Sequence, residues 1–489
     1  MARQTDEGIG EMGNRETRLS SYQTDNHQPE GEAPPENPSG ASTAWAYTQS
    51  YARYIFWLMF CINMMNYVDR WVFSLLLPLI QTDRAFCHHG IRAHFCINDF
   101  QTGLLSSSFI LIYAIGALPL GFLADRVKRK DVIAAGVAIW SAATLLTAFV
   151  HGFFGLLMTR TWLGFGEASY TPAGTSLLSS YFPGKQRAQI MSRWSAGALV
   201  GFAVGIIAGG LVAQLTQNWR LAFLFIGPPG LLLAFLMWKA REPARHAIDE
   251  SDGMDGQHSY QLEGNIRSAL ARIRSLLRIR TLTLCIIIQA LGASVITPSA
   301  IFFSPLLKRD YHLPLIGIGG AALLLALASI GGALGGGYLA DWLTKRYAGG
   351  RLMAGGISFL LAAPVFALAL LSPNFWVFLP FFILSGALLN AYLGPLNAVL
   401  QDVLPPAMRA SGVALTFMLM HLLGDLAAPS IIGGISYLLD PQNGSKLAEA
   451  LLITGPAALV IAGVIGIWGS RFVAQDTRRA SGRIIIQSA

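Results

Sequence analysis

Long apolar stretches recur along the chain and alternate with short polar segments that are mostly basic. Each stretch holds about 20 residues, the length that a helix needs to cross the hydrocarbon core of a bilayer. The stretches are rich in Gly and Ala, which suits close helix–helix packing in a membrane. We therefore predict twelve membrane-spanning helices near residues 54–80, 101–124, 131–150, 153–181, 188–215, 220–239, 282–307, 315–340, 351–371, 375–403, 410–438 and 447–470.

The composition also favours an all-α membrane protein. The 489 residues are 53% hydrophobic and only 13% charged, whereas soluble domains average about 25% charged residues. This composition excludes a cytosolic globular enzyme, and the four Cys are too few for a disulfide scaffold. Residues 1–45 are polar and rich in Pro, so we expect a disordered tail and no secretory signal there.

The distribution of Lys and Arg predicts the orientation. If both termini are cytoplasmic, the cytoplasmic segments after the first span hold 23 Lys and Arg residues and the opposite loops hold 6. Basic residues concentrate on the cytoplasmic side of membrane proteins. We expect a multi-pass protein of the cell membrane (the inner membrane if the source is bacterial) with both termini in the cytoplasm. The net charge of +8 then marks loops, and no nucleic-acid partner is expected.

Three markers repeat in the same order along the chain. Gly121–Lys130 returns at Gly337–Arg346 with an offset of 216 residues. The offset is 222 between Arg187 and Arg409, and 223 between Glu167 and Asn390. Such a repeat is typical of transporters built from two parallel halves. We predict two pseudo-symmetric six-helix bundles, with a cytoplasmic tail at 1–45, a first bundle at 46–240, a linker with a basic amphipathic helix at 241–280, a second bundle at 281–470 and a cytoplasmic tail at 471–489.

The repeated loop carries a family likeness. Gly121–Lys130 and its repeat resemble the loop signature of the major facilitator superfamily, and the resemblance extends over residues 54–470. Asn66–Arg70 and Arg160–Tyr170, together with Gly227–Gly230, resemble the spinster branch of that superfamily. Members of this branch are implicated in proton-coupled movement of lysolipids and sphingoid phosphates. The anion–cation symporter branch has a similar pattern in the first two of these stretches.

Four ionisable residues lie well inside predicted spans 1 and 4: Asp69, Arg70, Arg160 and Glu167. Charges at bilayer depth are costly and usually functional. The resemblance implies that these two spans line a central cavity. We therefore predict that Asp69 pairs with Arg160 and Glu167 pairs with Arg70, with Asp69 and Glu167 as the proton-coupling acids. An alternative is that the charges only hold helices together.

Protonation of either acid would free an arginine to bind a phosphate or carboxylate. Polar residues elsewhere in the spans extend the predicted substrate site. They are Tyr67, Asn63, Asn66, Asn390, Tyr392, His421 and Asp425. For His421 and Asp425, an interhelical hydrogen bond is the alternative to a role as a substrate contact or second proton site. Several Phe residues in spans 7 and 10 are candidates for an apolar substrate wall, unless they face lipid.

The repeated loop also predicts a cytoplasmic gate. An acid at the end of a span can sit at the positive N-terminus of a helix from the other half. Pseudo-symmetry then places Asp125 near Arg409, and Asp341 near Arg187. The resemblance implies that these contacts close the cytoplasmic side. The predicted gate residues are Gly121, Asp125, Arg126, Asp341, Arg187 and Arg409.

The leading functional prediction is a secondary active transporter, proton-coupled, that moves a lysophospholipid or related amphiphilic anion by alternating access. A symporter of small organic anions is the alternative within the superfamily. A membrane enzyme or sensor is disfavoured, because no Walker motif, nucleophile elbow or zinc-helix motif occurs. We expect a monomer that uses no cofactor and no metal. In the predicted outer loop, Cys87 and Cys96 flank three His residues; a disulfide is the leading prediction, with free thiols and zinc as alternatives.

Overall fold

A computed structural model describes residues 49–86, 96–182, 184–242, 266–405, 408–441 and 446–480. Within these ranges the secondary structure is helical, with short turns between helices. The predicted tail at 1–45 and residue Cys87 lie outside the described residues. Cys96 is disulfide-bonded, and Cys61 and Cys285 are free.

Six helices form the first half of the chain. They are α1 (Gln49–Gln81), α2 (Asp99–Arg126), α3 (Arg129–Thr147), α4 (Phe153–Ser179), α5 (Gly184–Thr216) and α6 (Trp219–Lys239). A short helix, α7 (Ile266–Leu277), then forms at the predicted basic amphipathic segment. The second half comprises α8 (Arg280–Asp310), α9 (Leu315–Thr344), α10 (Gly350–Leu370), α11 (Phe375–Asn390), α12 (Leu393–Val403), α13 (Arg409–Met420), α14 (Ala428–Leu439) and α15 (Leu447–Ala480).

Ten helices in the described parts of the chain are long and apolar enough to cross a membrane. The predicted spans 1 and 4 are not among them, although α1 and α4 are 33 and 27 residues long. These two helices carry the four ionisable residues of the predicted site, along with buried Asn and Ser. The polarity that suggests function thus makes them less apolar than their neighbours.

Two predicted spans are interrupted where the chain contains proline. The predicted span 375–403 divides into α11 and α12 at Ala391–Tyr392, four and three residues before Pro395. The predicted span 410–438 contains a π-helical turn, His421–Asp425, before Pro429. Proline has no N–H and clashes with the carbonyl four residues earlier, so it favours a kink or break just before its own position. Other helices, such as α6 with Pro228 and Pro229, continue through their prolines. These breaks place His421 and Tyr392 at irregular points of the backbone.

The packing of the first half positions the charged residues. Helix α4 packs against both α2 and α3, and α1 packs along α5. Trp140 of α3 and Tyr170 of α4 are fully buried, with ring centroids 5.7 Å apart. In the second half Phe302, Phe359, Phe366 and Phe378 are buried in the core. Asp69, Arg160 and Glu167 are buried within the protein, and Arg70 is partly exposed.

Candidate functional site

Arg70 of α1 and Glu167 of α4 form a buried ion pair. Arg70 Nε donates to Glu167 Oε2 at 2.7 Å, and the shortest N–O distance between the two side chains is 2.5 Å. The Glu167 side chain is 0% exposed, whereas the Arg70 side chain is 33% exposed. This pair matches the predicted pairing. Its arginine is the more accessible partner, so a ligand would meet the cation first.

Aromatic rings surround the Arg70 guanidinium. Its Cζ lies 5.5 Å from the ring centroid of Tyr67, 5.2 Å from that of Phe109 and 5.4 Å from that of Tyr113. Such rings stabilise a cation through their π faces. Tyr67 belongs to the predicted site, whereas Phe109 and Tyr113 come from α2 and were not predicted. Their four-residue spacing on one helix face was the available signal, but buried helix faces commonly show it too.

The predicted pair of Asp69 and Arg160 is not formed as a salt bridge, and this prediction was wrong for the structure described. Both side chains are buried, with residue exposures of 2% and 4%. Arg160 Cζ lies 4.2 Å from the Phe73 ring centroid and 5.9 Å from that of Phe223. Phe73 lies one turn after Asp69 on α1 and Phe223 lies on α6, so the guanidinium packs between rings of two helices. The two charges still interact electrostatically, and Thr144 of α3 lies beside the Asp69 carboxyl group.

The predicted asparagines have different surroundings. Asn66 is buried next to Glu167. Asn63 Nδ2 donates to the Trp194 carbonyl at 2.8 Å and so joins α1 to α5. Asn390 Nδ2 donates to the Gly386 carbonyl of its own helix at 2.8 Å. Only Asn66 of these three lies beside the charged cluster.

His421 and Asp425 form a second polar cluster in the π-helical turn. His421 Nδ1 and Asp425 Oδ2 are hydrogen-bonded, and Thr297 of α8 donates to Asp425 Oδ1 at 2.6 Å. The His421 side chain is 45% exposed and that of Asp425 is 10% exposed. The turn contacts α2 as well as α8. π-Helical turns are frequent at functional sites, so the geometry suits both an interhelical bond and a ligand contact.

The aromatic residues of the second half form a packed core. Phe302, Phe303, Phe378 and Phe382 are buried, with exposures of 0%, 6%, 0% and 5%. Ring centroids are 5.3 Å apart for Phe303 and Phe382 and 4.8 Å for Phe378 and Phe382. Tyr392 is also buried, and its ring centroid lies 4.7 Å from that of Phe359 with the two planes tilted by 37°. Phe303 and Phe378 pack against Phe382, and Phe302 is fully buried, so these four rings do not form an open substrate wall.

A buried polar network joins the two halves at one end of the bundle, which we call the Asp99 end. Arg309 of α8 donates to both carboxylate oxygens of Asp99, at 2.9 and 2.8 Å. Gln81 Nε2 donates to Asp99 Oδ1 at 3.2 Å, and Ser436 of α14 donates to Asp99 Oδ2 at 2.7 Å. The Asp99 side chain is 0% exposed. Asp99, Gln81 and Arg309 flank the predicted spans, so the sequence indicated only loop charges there.

Backbone contacts at the Asp99 end are equally close. A Cβ added to Gly103 of α2 would lie 2.2 Å from the Pro429 carbonyl oxygen, and one added to Gly433 of α14 would lie 2.1 Å from that of Asp99. Only glycine permits this approach of α2 to α14. Ser304 of α8 donates to the Leu75 carbonyl at 2.7 Å. Within the described ranges, the hydrogen bonds between the halves lie at this end.

The opposite end, which we call the Arg129 end, carries the predicted gate residues. Arg126, Asp341 and Arg409 are exposed, and among the described side chains these three form no ion pair. A Cβ added to Gly121 would meet only Pro172, at 4.0 Å. The side chains of Asp125 and Arg187 lie outside the described residues, so both predicted gate pairs remain predictions.

The loop signature at the Arg129 end is fixed within the first half. Arg129 Nε pairs with Glu242 Oε1 at 2.8 Å, and the same arginine donates to Ser180 Oγ at 2.7 Å. This arrangement anchors the start of α3 to α4 and to the segment after α6. In the described parts of the chain, no group of His, Cys, Asp and Glu residues has the arrangement of a metal site.

Comparisons with known proteins agree with this geometry. The family model described as Major Facilitator Superfamily matches residues 59–429. Protein spinster of Drosophila melanogaster is 26% identical over 380 residues, which are 77% of this chain and 60% of that protein. Protein spinster homolog 3 of Danio rerio is 28% identical over 476 residues, 91% of each chain. A solved bacterial homologue of the human lysosomal transporter spinster shares the fold, with a TM-score of 0.70, 22% identity and coverage of 90% of this chain and 100% of that one.

Proposed function

We propose, from the premise that this chain belongs to the major facilitator superfamily and is a transporter of the spinster type, that it is a proton-coupled secondary active transporter. Its proposed substrate is a lysophospholipid or a related amphiphilic anion. The family and the relatives identify a transporter rather than an enzyme. The substrate and the coupling ion are inferred from the geometry of α1 and α4.

The proposed architecture is twelve membrane spans in two pseudo-symmetric halves. Ten spans meet the criteria of length and apolarity, and α1 and α4 are the two further spans that we propose. Both are long enough for the hydrocarbon core. Three of their charged side chains, Asp69, Arg160 and Glu167, are buried within the protein. The excess of basic residues at the Arg129 end supports a cytoplasmic position for that end and for both termini, in the cell membrane.

The observation that carries the proposal is the buried pair of Arg70 and Glu167. When Glu167 is ionised, its carboxylate holds the guanidinium through two close N–O contacts. When Glu167 takes up a proton, Arg70 loses its counter-charge but keeps one accessible face between Tyr67, Phe109 and Tyr113. A phosphate or carboxylate can then replace Glu167 as the partner of Arg70. Proton binding and anion binding are thereby linked at one side chain.

The remaining predicted residues complete the proposed site. Asp69 is the second proposed proton-coupling acid. Arg160 lies near Asp69 and interacts with it electrostatically, although the two side chains form no salt bridge. Asn63 and Asn66 support α1 next to Glu167, while Asn390, Tyr392, His421 and Asp425 form the side of the site that belongs to the second half. The rings around Arg70 suit an amphiphile, because they offer apolar contact beside the cation.

The proposed transport cycle alternates between two closed ends. The Asp99 end is closed through the network of Asp99, Gln81, Arg309 and Ser436. For the opposite state we propose contacts of Asp125 with Arg409 and of Asp341 with Arg187 at the Arg129 end. The open space around Gly121 and the exposed Arg126 at this end support that proposal. The Asp99 network would separate in that state.

Transport assays with purified protein in liposomes test the proposal. We expect a proton gradient to drive movement of radiolabelled lysophosphatidylglycerol, and a protonophore to abolish it. A radiolabelled sugar acid such as glucuronate tests the alternative, a symporter of small organic anions. If the proton gradient drives glucuronate flux but no lysolipid flux, the proposed substrate class is wrong and the small-anion alternative is supported. If the protonophore does not affect lysolipid flux, transport is not proton-coupled.

A further inference from the structure

Unpartnered polar atoms are concentrated on α1, α3 and α4 in the first half. Among the described residues, eight buried side-chain atoms on these helices have no hydrogen-bond partner. They are Asp69 Oδ1, one terminal nitrogen of Arg129, Trp140 Nε1, Ser141 Oγ, Thr144 Oγ1, Arg160 Nε, one terminal nitrogen of Arg160 and Glu167 Oε1. Buried polar atoms are normally hydrogen-bonded, because leaving them unpaired is costly.

Five of these atoms belong to side chains that interact with one another. Asp69 interacts electrostatically with Glu167 and Arg160, and the Thr144 side chain lies beside its carboxyl group. Asp69, Thr144, Arg160 and Glu167 are 2%, 0%, 4% and 1% exposed. Arg160 is held over the Phe73 ring, so it does not reach Asp69 directly. The unpartnered atoms thus belong to one cluster of buried, mutually interacting side chains.

The chemistry of these atoms selects the group that fits between them. Arg160 contributes two donors, Asp69 Oδ1 and Glu167 Oε1 are acceptors when ionised, and the Thr144 hydroxyl is both. A metal cation would meet the arginine charge, and an anion would meet two carboxyl groups. A water molecule donates and accepts at once, and buried water typically makes about three such bonds.

We infer that ordered water bridges Asp69, Arg160 and Glu167, and that Thr144 is the positioning residue that holds this water through its hydroxyl group. Asp69 and Arg160 then form a water-separated ion pair. This inference rests on the proposed function and adds α3 to the proton-coupling site.

The bridge provides a path between the two acids. A proton leaves the carboxylic acid of Asp69 for the water oxygen, and the water releases a different proton to Glu167 Oε1. Asp69 ends as a carboxylate, Glu167 ends as a carboxylic acid and the water is unchanged. Oε1 is the acceptor available for this step, because Oε2 is bound by Arg70.

Two substitutions at Thr144 and one nearby control separate positioning from packing. Thr144→Val keeps the shape and removes the hydroxyl, while Thr144→Ser keeps the hydroxyl. Thr147→Val is the matched control, because Thr147 lies on the same helix with 0% exposure, and its hydroxyl already donates to the Ala143 carbonyl at 2.8 Å. Loss of that local hydrogen bond should alter the thermal stability of the protein but leave the water bridge between Asp69, Arg160 and Glu167 unchanged.

The test is infrared difference spectroscopy of the purified full chain after a pH jump, with no substrate present. We expect paired changes in the carboxyl bands of Asp69 and Glu167, assigned with Asp69→Asn and Glu167→Gln, and a change in an O–H band of bound water. Thr144→Val should remove the water band and slow transfer about tenfold, as expected for one lost hydrogen bond. Thr144→Ser and Thr147→Val should retain the water band and the wild-type rate of proton transfer.

Other results would overturn the inference. If Thr144→Val behaves like Thr147→Val, then Thr144 does not hold the bridging group. If the water band is absent from the wild-type protein, the bridge does not exist. Because the measurement needs no substrate, failure of lysolipid transport in liposomes would refute the proposed substrate while leaving this result interpretable.

Discussion

The two halves of this transporter share three repeated sequence markers but carry different residues at matching positions. Glu167 in the first half corresponds to Asn390 in the second, and Arg160 corresponds to Ile383, each with an offset of 223 residues. Glu167 binds Arg70 on another helix, whereas Asn390 hydrogen-bonds within its own helix. The first half thus carries interhelical charge, and the second half carries a packed aromatic core.

The difference suggests that the two halves have different roles in transport. In the proposed mechanism, ionisable groups in the first half exchange partners on protonation, which suits them to coupling. The rings of Phe303, Phe378 and Phe382 are rigidly packed and suit a scaffold. The second half also carries ionisable groups, in the π-helical turn with His421 and Asp425 and in the pair of Arg351 and Asp402. Asp99 and Arg309 join the two halves, so they provide one route by which a change in one half can reach the other.

The largest effect is expected from Glu167→Gln. The variant cannot change charge, so it should lower proton-driven lysolipid flux by about 100-fold or more while the protein remains folded. Asp69→Asn should act in the same way. Flux in liposomes and thermal unfolding of each variant provide the measurement. Ser385→Ala is the control from the second half, because Ser385 is buried and bonds only to the Phe382 carbonyl. Normal transport by both acid variants would refute the coupling assignment.

The next effect concerns the contact between the halves. Asp99→Asn leaves the Arg309 charge buried without its full partner, and breaking a buried pair in this way costs about 3–5 kcal/mol. We expect the Asp99 end to open. Leu215 and Leu371 are exposed and lie on different halves, so they can carry spin labels. Electron–electron distance measurements between these labels should show a new population at longer distances.

A double substitution sharpens that prediction. Asp99→Asn combined with Arg309→Gln removes both charges, so it should restore part of the short-distance population. If Asp99→Asn leaves the distance distribution unchanged, the network does not hold the Asp99 end closed.

A smaller effect on transport is expected from substitutions in the π-helical turn of the second half. His421→Gln removes the imidazole and should raise the KM for lysolipid about tenfold, the scale of one lost hydrogen bond, while proton coupling persists. Thr297→Val removes only the interhelical bond to Asp425 and should lower thermal stability. If His421→Gln changes stability but not KM, the cluster is a helix–helix contact.

The smallest effect lies outside the membrane, at Asp83. Its carboxylate accepts bonds from Ala85 N at 2.9 Å and Trp219 Nε1 at 2.8 Å, and it pairs with Arg220. Burial opposes ionisation, but these bonds outweigh it and hold the pKa of Asp83 below its ordinary value of 3.8. The stabilisation is therefore present above that value and is lost as pH falls through the lowered pKa.

Asp83→Asn should accordingly destabilise the protein by about 1 kcal/mol at neutral pH. The difference in thermal unfolding temperature between wild type and variant should shrink as the pH is lowered below 4. A difference that grows at acidic pH would contradict the assigned sign.

The sequence by itself determined the helical membrane class, the family and one ion pair. Apolar stretches of fixed length are a local property, and a mid-span charge such as Arg70 needs a partner such as Glu167 wherever the helices meet. The sequence could not predict the break before Pro395 in detail, or that Phe303 and Phe382 would cover each other rather than line a cavity.

Only the tertiary structure decided which distant residues share a space. Asp99 and Arg309 are 210 positions apart, and the sequence indicates only two separate loop charges there. Thr144 has no sequence feature that distinguishes it from other small residues of an apolar span. The Phe73 ring held Arg160 away from Asp69, although the charges alone favoured a direct pair. Contacts of this kind depend on the relative rotation and spacing of whole helices, which helix packing sets and which no local pattern along the chain records.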